Sequence, residues 1–196
     1  MPDADLVLDL ALTIRHDGHG GVADDLAAPE GLTAWVRAHP AVLPGAARFT
    51  ADADTLSAVR DLRAAVRALF ARAVRPGDPS PADAARLLPD QEAIDRLNAA
   101  AALVPVVPRL NWPKGAEPAA EHAPAPGGPP AEELIAALAR AAITFLTGPD
   151  RTKLRACHAP RCVRYFLKEH PRQEWCKPSC GNRARVARHH ERHRAG

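Results

Sequence analysis

Cys157-His158-Ala159-Pro160-Arg161-Cys162, thirteen further residues, then Cys176-Lys177-Pro178-Ser179-Cys180-Gly181-Asn182-Arg183 is the stretch on which the fold turns. These are the only four cysteines of the 196-residue chain, and they fall within 24 consecutive positions. In an intracellular protein such a cluster reads as a metal site before it reads as disulfides. Zinc prefers a tetrahedron of thiolates at about 2.3 Å, and two ligand pairs, each gathered by a tight turn, meet that need. Pro160 and Pro178, one within each pair, help hold the turns. The thirteen residues between the pairs are long enough to leave the first pair, form a small hairpin and return. Four thiolates leave no open coordination position, so the one Zn²⁺ expected on Cys157, Cys162, Cys176 and Cys180 is structural. Two alternatives stay open: a redox dithiol or disulfide pair, and a histidine (His158, His170, His189, His190 or His193) in place of a thiolate.

A segment of some forty residues with few apolar side chains cannot stabilise itself by burial alone. Tyr165, Phe166, Leu167 and Trp175 are its main large apolar groups, and they are expected to pack as a miniature core beside the metal.

Outward from the cysteines, the charge is divided. Residues 151–196 carry 13 Lys and Arg against three acidic residues, whereas the first 150 carry 13 against 20. The formal net charge of +3 hides this split. A basic end on an acidic body suits a chain whose end meets a polyanion, although a solvated Arg-rich surface has the same composition. Apolar residues at 46% and charged residues at 25% are ordinary for a globular protein with a core. Aromatics, at 4%, are scarce, so that core leans on Leu, Val, Ile and Ala. No window offers the roughly 20 apolar residues of a membrane span. The acidic start Met1-Pro2-Asp3-Ala4-Asp5 is unlike a signal peptide, and the expectation is a cytoplasmic protein without a membrane partner.

The body, residues 1–149, reads as α+β and mainly helical with a small N-terminal β element. Asp5–Ile14 alternates loosely and suggests a short strand ending at His16-Asp17-Gly18-His19-Gly20-Gly21. Pro29-Glu30-Gly31 opens a short helix stopped before Pro40. Leu56, Val59, Leu62, Val66, Leu69 and Phe70 recur at helical spacing behind Asp52 or Asp54 as N-cap. Amphipathic stretches follow over Pro81–Leu88 and Gln91–Leu103, and Val104–Trp112, broken by Pro105 and Pro108, makes at best an edge strand. Residues 113–130 read as a flexible loop rich in Pro, Ala and Gly. The last body helix starts near Pro130, has Glu132 and Glu133 at its positive end, and stops at Gly148-Pro149. Residues 150–196 form the second unit, a finger with a hairpin and a helix.

Past Gly181 the chain holds good helix formers and no breaker. At about 100° per residue Arg185, Arg188 and Arg192 fall within about 60° of one another, with His189 beside them. That stripe can follow a phosphate backbone or enter a major groove. Asn182 and Arg183 are nucleic-acid candidates too, and Arg183 serves equally well as a brace inside the finger. Val186, between the two faces, is free to pack on the metal core.

Cys157-x4-Cys162, Tyr165-Phe166, Trp175-Cys176 and above all Cys180-Gly181-Asn182-Arg183-Ala184 closely resemble the CGNR zinc finger. That resemblance implies a finger ending in a basic helix, at the C-terminus of bacterial proteins whose N-terminal part is the ABATE domain. Leu8-Asp9-Leu10, and Asp25-Leu26-Ala27-Ala28-Pro29-Glu30-Gly31-Leu32 followed by Trp35, look like that domain. The implied function is stress-responsive transcription regulation, with DNA as partner and a small molecule or protein as effector. The chain departs from the family at Leu12, where an Asn usually precedes the Thr, and at Leu167–Glu174, which is shorter and nearer neutral than usual.

Other constellations carry less. His16, Asp17 and His19 with Asp24 and Asp25 can in principle hold a second metal, but Gly-rich turns commonly carry such residues without one. Trp35, Trp112 and Phe145 can line a body pocket or serve as packing. There is no G-x-S-x-G, phosphate-binding glycine loop or HExxH, and Glu132-Glu133 suits the helix dipole better than acid–base work, so no enzyme is expected. The readings carried forward are a DNA-binding transcriptional regulator, a protein-interaction or small-molecule-binding module with a purely structural finger, and a thiol redox switch. RNA or an acidic protein surface remain further partners for the basic helix.

Overall fold

A computed structural model describes residues 2–19, 21–43, 45–83, 86–125 and 127–194. It is mainly helical with three two-stranded antiparallel ribbons among those residues. In chain order the elements are α1 (Pro2–Leu12), β1 (Ile14–His16), β2 (Val22–Asp24), α2 (Pro29–Arg37), α3 (Ala53–Ala73), α4 (Asp90–Ala102), β3 (Val106–Asn111), β4 (Ala119–Pro124), α5 (Pro130–Thr147), β5 (Leu154–Ala156), β6 (Tyr165–Leu167) and α6 (Pro178–Arg194). Short 3₁₀ turns at Ala46–Arg48 and Pro149–Lys153 lead into α3 and β5.

The first segment corrects the strand expected over Asp5–Ile14. It is α1, and the β element begins only at Ile14, pairing Ile14 with Asp24 and His16 with Val22. From Ala4 onward the exposed positions of α1 are Asp5 and Asp9, one helical turn apart, while Ala4, Leu6, Val7, Leu8, Leu10 and Ala11 are all buried. A helix wrapped on most sides leaves only a narrow polar stripe, which imitates loose alternation. α1 packs against α5 and α3.

α3 is the long axis of the core. Asp52 caps it, its Oδ1 accepting from Thr55 N at 2.8 Å. Phe70, in its last turn, is fully buried, with the Phe145 ring of α5 at 5.3 Å and the Tyr165 ring of β6 at 5.4 Å. Burial of Leu, Val, Ile and Ala from α1, α2, α3 and α5 makes one continuous core.

Two further expectations are corrected. Of the helix expected over Pro81–Leu88, Ala84 and Ala85 lie outside the described residues, and the remainder is turn and coil. Asp83 N donates to Ser80 O, and the buried Ser80 and Asp83 side chains bind α3 and the finger rather than a helix of their own. The loop expected over 113–130 contains β4, which pairs with β3 from Val106–Pro124 to Asn111–Ala119. Ala119–Pro124 has little strand propensity, and its pairing comes from its partner across the turn. Pro108 and Pro124 are tolerated because the ribbon has two strands and therefore only edges.

The finger joins this core. β5 and β6 flank the first cysteine pair, so the hairpin closes around Cys157 and Cys162 instead of lying between the two pairs. Its inner residues Leu154, Ala156 and Tyr165 belong to the body core, while Phe166 and Trp175 pack with the cysteines. The miniature core expected of Tyr165, Phe166, Leu167 and Trp175 is thus divided between two clusters. Among the described residues, no helix is long and apolar enough to cross a membrane.

Candidate metal centre

The first cysteine pair is presented by a turn that continues the β5–β6 ladder. Cys157 N donates to Arg164 O at 2.8 Å, and Cys162 N to Ala159 O at 2.9 Å. Arg161 closes this turn in the left-handed region, at φ 62°. The second pair straddles the start of α6, with Cys180 N donating to Lys177 O at 3.0 Å and Cys180 in the first helical turn.

The four Sγ atoms all lie within 4.8 Å of one another. Cys162 and Cys176 Sγ are 3.7 Å apart, and Cys176 and Cys180 Sγ 3.5 Å. A tetrahedron with bonds of about 2.3 Å has sulfurs about 3.8 Å apart, so the donor set fits zinc. Its electrostatics agree. Hydrogen bonds from Cys162 and Cys176 pull the Cys157 thiol far down, while the same sharing pushes Cys162 and Cys176 up. Packed sulfurs cannot all ionise unless a cation neutralises them. Cys157, Cys162, Cys176 and Cys180 form a zinc-binding site, and the metal bound there supplies a cross-link rather than a reactive position. Among the described residues no other His, Cys, Asp or Glu cluster brings three ligand atoms together. His158, His170, His189, His190 and His193 are exposed and outside it.

The residues around the sulfurs each have a place. Gly181 lies under Trp175, where a Cβ would meet the indole Cδ1 at 3.1 Å, so a side chain would displace the ring. Arg183 Nη2 donates to Cys180 Sγ at 3.1 Å, the contact of a brace inside the finger, one of its two expected roles. Asn182 Oδ1 accepts from Arg185 Nη1 at 3.1 Å. Ala184 is the residue that α6 buries beside Cys180. Val186, expected on the metal core, is 55% exposed, because α6 tilts its Ala184 side inward.

Beyond Ala187 every described residue of α6 is exposed. Arg185, Arg188 and Arg192 share one shallow surface with Glu191. Arg188 Nε and Arg192 Nε donate back to the carbonyls of Ala184 and Arg188. His189, expected beside the stripe, meets His193, with Nε2 atoms 3.2 Å apart.

A buried polar network fastens this unit to the body. Arg67 of α3 donates to Asp83 Oδ1 at 2.7 Å and to Ala11 O at the end of α1, and its guanidinium lies 5.3 Å from the Tyr165 ring centroid. Ser80 Oγ donates to Val163 O at 2.8 Å, and Ser80 N to Tyr165 Oη at 3.2 Å. Burial, reinforced by Asp83, pushes the Tyr165 phenol up, so it remains a neutral donor. Sequence reading missed Arg67, Ser80 and Asp83. The one local signal is an arginine spaced among the apolar positions of α3.

The remaining candidates are dispersed. Phe145 is inside the core, Trp35 is half-buried with its ring 4.5 Å from His39, and Trp112 is 66% exposed. Asp17 Oδ1 accepts from His19 N and Gly21 N, Asp24 binds Arg63, and Asp25 binds Arg15. The carboxylates of the suggested second metal group therefore have partners within the protein.

Residues 4–149 match the family model of ABATE, described as "Putative stress-induced transcription regulator". Residues 153–193 match the CGNR zinc finger. No curated protein matches the chain.

Proposed function

This chain belongs to the ABATE family and ends in a CGNR zinc finger, and from that premise we propose that it is a DNA-binding transcriptional regulator. In this reading the zinc centre holds α6 against duplex DNA, the body senses a ligand or partner, and the protein acts without catalysing a reaction. Its place is the cytoplasm, on the nucleoid when bound.

The observation that carries the reading is the anchoring of an exposed basic helix. α6 is fixed at Cys180 and, at 1.5 Å per residue, extends about 25 Å, the second half of it clear of the body. Its arginines meet the electrostatic requirement of phosphate contact, and a helix of this width enters a major groove. The acidic body supplies the opposite sign, which disfavours docking the wrong way round.

Anisotropy titration of the zinc-loaded chain with mixed-sequence duplex DNA at two salt concentrations tests it. Binding that weakens steeply with salt is expected. Absent or salt-independent binding would overturn the reading.

A further inference from the structure

Between the end of α2 with its following 3₁₀ turn and the Pro130–Arg140 part of α5 lies a cleft of about 550 Å³. Its walls are apolar: Val36, Leu43 and Phe49 on one side, Leu134 and Ala137 on the other. Volume and lining are those of a small-molecule site. Three charged side chains reach it, Arg48, Glu133 and Arg140.

Arg140 is the unusual one. It is half-buried, yet no carboxylate within 4 Å pairs with it among the described residues. The buried arginines of α3, by contrast, each have an aspartate: Arg63 has Asp24 and Arg67 has Asp83. The hydrogen bond that Arg140 makes, Nη1 to Val104 O at 3.0 Å, fixes the guanidinium and leaves most of its five N–H donors unspent. Burial depresses its basicity with nothing opposing the shift. Glu133, two turns earlier on α5, forms no ion pair with it among the described residues. A half-buried guanidinium, held by one hydrogen bond beside apolar walls, keeps donors to offer a ligand.

We propose that this cleft binds a small carboxylic acid with an apolar body, its carboxylate on Arg140 and its hydrocarbon between Phe49 and Leu134. A planar guanidinium pairs a carboxylate through two parallel hydrogen bonds, which gives the site its class of ligand. Arg48 adds positive charge at the same cleft, and Glu133 selects against a second anionic group at the far end. The inference deepens the sensing half of the function proposed above, and rests on it for its purpose but not for its chemistry.

The test is calorimetric titration of the zinc-loaded full chain with naphthylacetate and, as an uncharged near-isostere, naphthylacetamide. The acid is expected to bind one per chain and about tenfold or more tighter than the amide. Arg140→Met should abolish that preference. Ala137→Phe, which fills the cleft and leaves the arginine intact, should block both compounds. Thermal melting and zinc content confirm that each variant is folded, and the acid–amide comparison on the unaltered protein stands without them. Equal affinities, a preference that survives Arg140→Met, or no binding of either compound would overturn the proposal. Repeating the DNA titration with the acid present separates the two readings, because a bound acid that leaves DNA affinity unchanged removes the sensing role and not the site.

Discussion

Tyr165 Oη donates to Asp83 Oδ2 across 2.7 Å, joining positions 82 residues apart and fastening the finger's hairpin to the loop after α3. Both groups are buried. Asp83 also binds Arg67, whose Nη1 reaches Ala11 O, so this carboxylate and guanidinium together tie α1, α3 and β6. The body and the metal unit are therefore mechanically continuous.

Tyr165→Phe should destabilise the zinc-loaded protein by about 1–3 kcal/mol, because Asp83 loses a donor and Ser80 N loses its acceptor without water to replace them. Arg67→Met should cost more, about 3–5 kcal/mol, since it leaves the Asp83 charge buried and unpaired. Urea unfolding followed by circular dichroism reads both. Unchanged midpoints in Tyr165→Phe would mean that water enters the network.

Stripping zinc should melt part of the molecule. Phe166, Trp175 and α6 depend on the cysteine cluster, whereas Leu154, Ala156 and Tyr165 are held by the body core. A strong chelator, or Cys162→Ser, should remove one zinc per chain and the helical signal of α6 while the body keeps a cooperative thermal transition. Simultaneous loss of both transitions would show that the metal supports the whole fold.

The metal ligands and the helices α2, α3, α4 and α5 were legible because their signals are local. Ligand spacing, the Asp52 cap, the breakers at Gly148-Pro149 and helical apolar periodicity all act within a few residues. What stayed hidden depends on distant partners. α1 imitates a strand because its neighbours bury nearly every side. β4 exists because β3 offers it a ladder, and nothing in Ala119–Pro124 announces a strand. Tyr165 looked like a residue of the metal unit and belongs to the body core, a choice set by Phe70, Asp83 and Ser80 rather than by its own sequence neighbourhood. The cleft at Arg140 was equally invisible, since it needs two elements some ninety residues apart.

Acid should loosen the β1–β2 ribbon in a narrow pH range. Burial alone would raise the Asp24 carboxyl, but Arg63 grips it through two hydrogen bonds of 2.6 and 2.7 Å and holds it below its ordinary value of 3.8. A folded-state value below the unfolded one means that the pair stabilises the protein fully above about pH 4 and ceases to do so as pH falls through the folded value. Asp24→Asn should accordingly be less stable than the unaltered protein near pH 7, with the difference in urea midpoint shrinking below about pH 4. A constant difference across that range would place the effect of the substitution elsewhere.

Two arginines five residues apart on α6 should fail in different ways. Arg183 donates to the sulfur of Cys180, whereas Arg188 lies on the exposed stripe with Arg185 and Arg192. Arg188→Ala should leave zinc content and melting unchanged and lower the slope of log affinity for DNA against log salt by about 0.9 for the phosphate contact it loses. Removing Arg185, Arg188 and Arg192 together should lower that slope about threefold as much. Arg183→Ala takes a positive hydrogen bond from a thiolate centre that carries excess negative charge, so it should speed zinc loss to a chelator. Its salt slope, measured with zinc in excess, should stay close to that of the unaltered chain. If Arg183→Ala changed the slope and spared zinc retention, the sulfur contact would be incidental and the arginine would belong to the nucleic-acid surface.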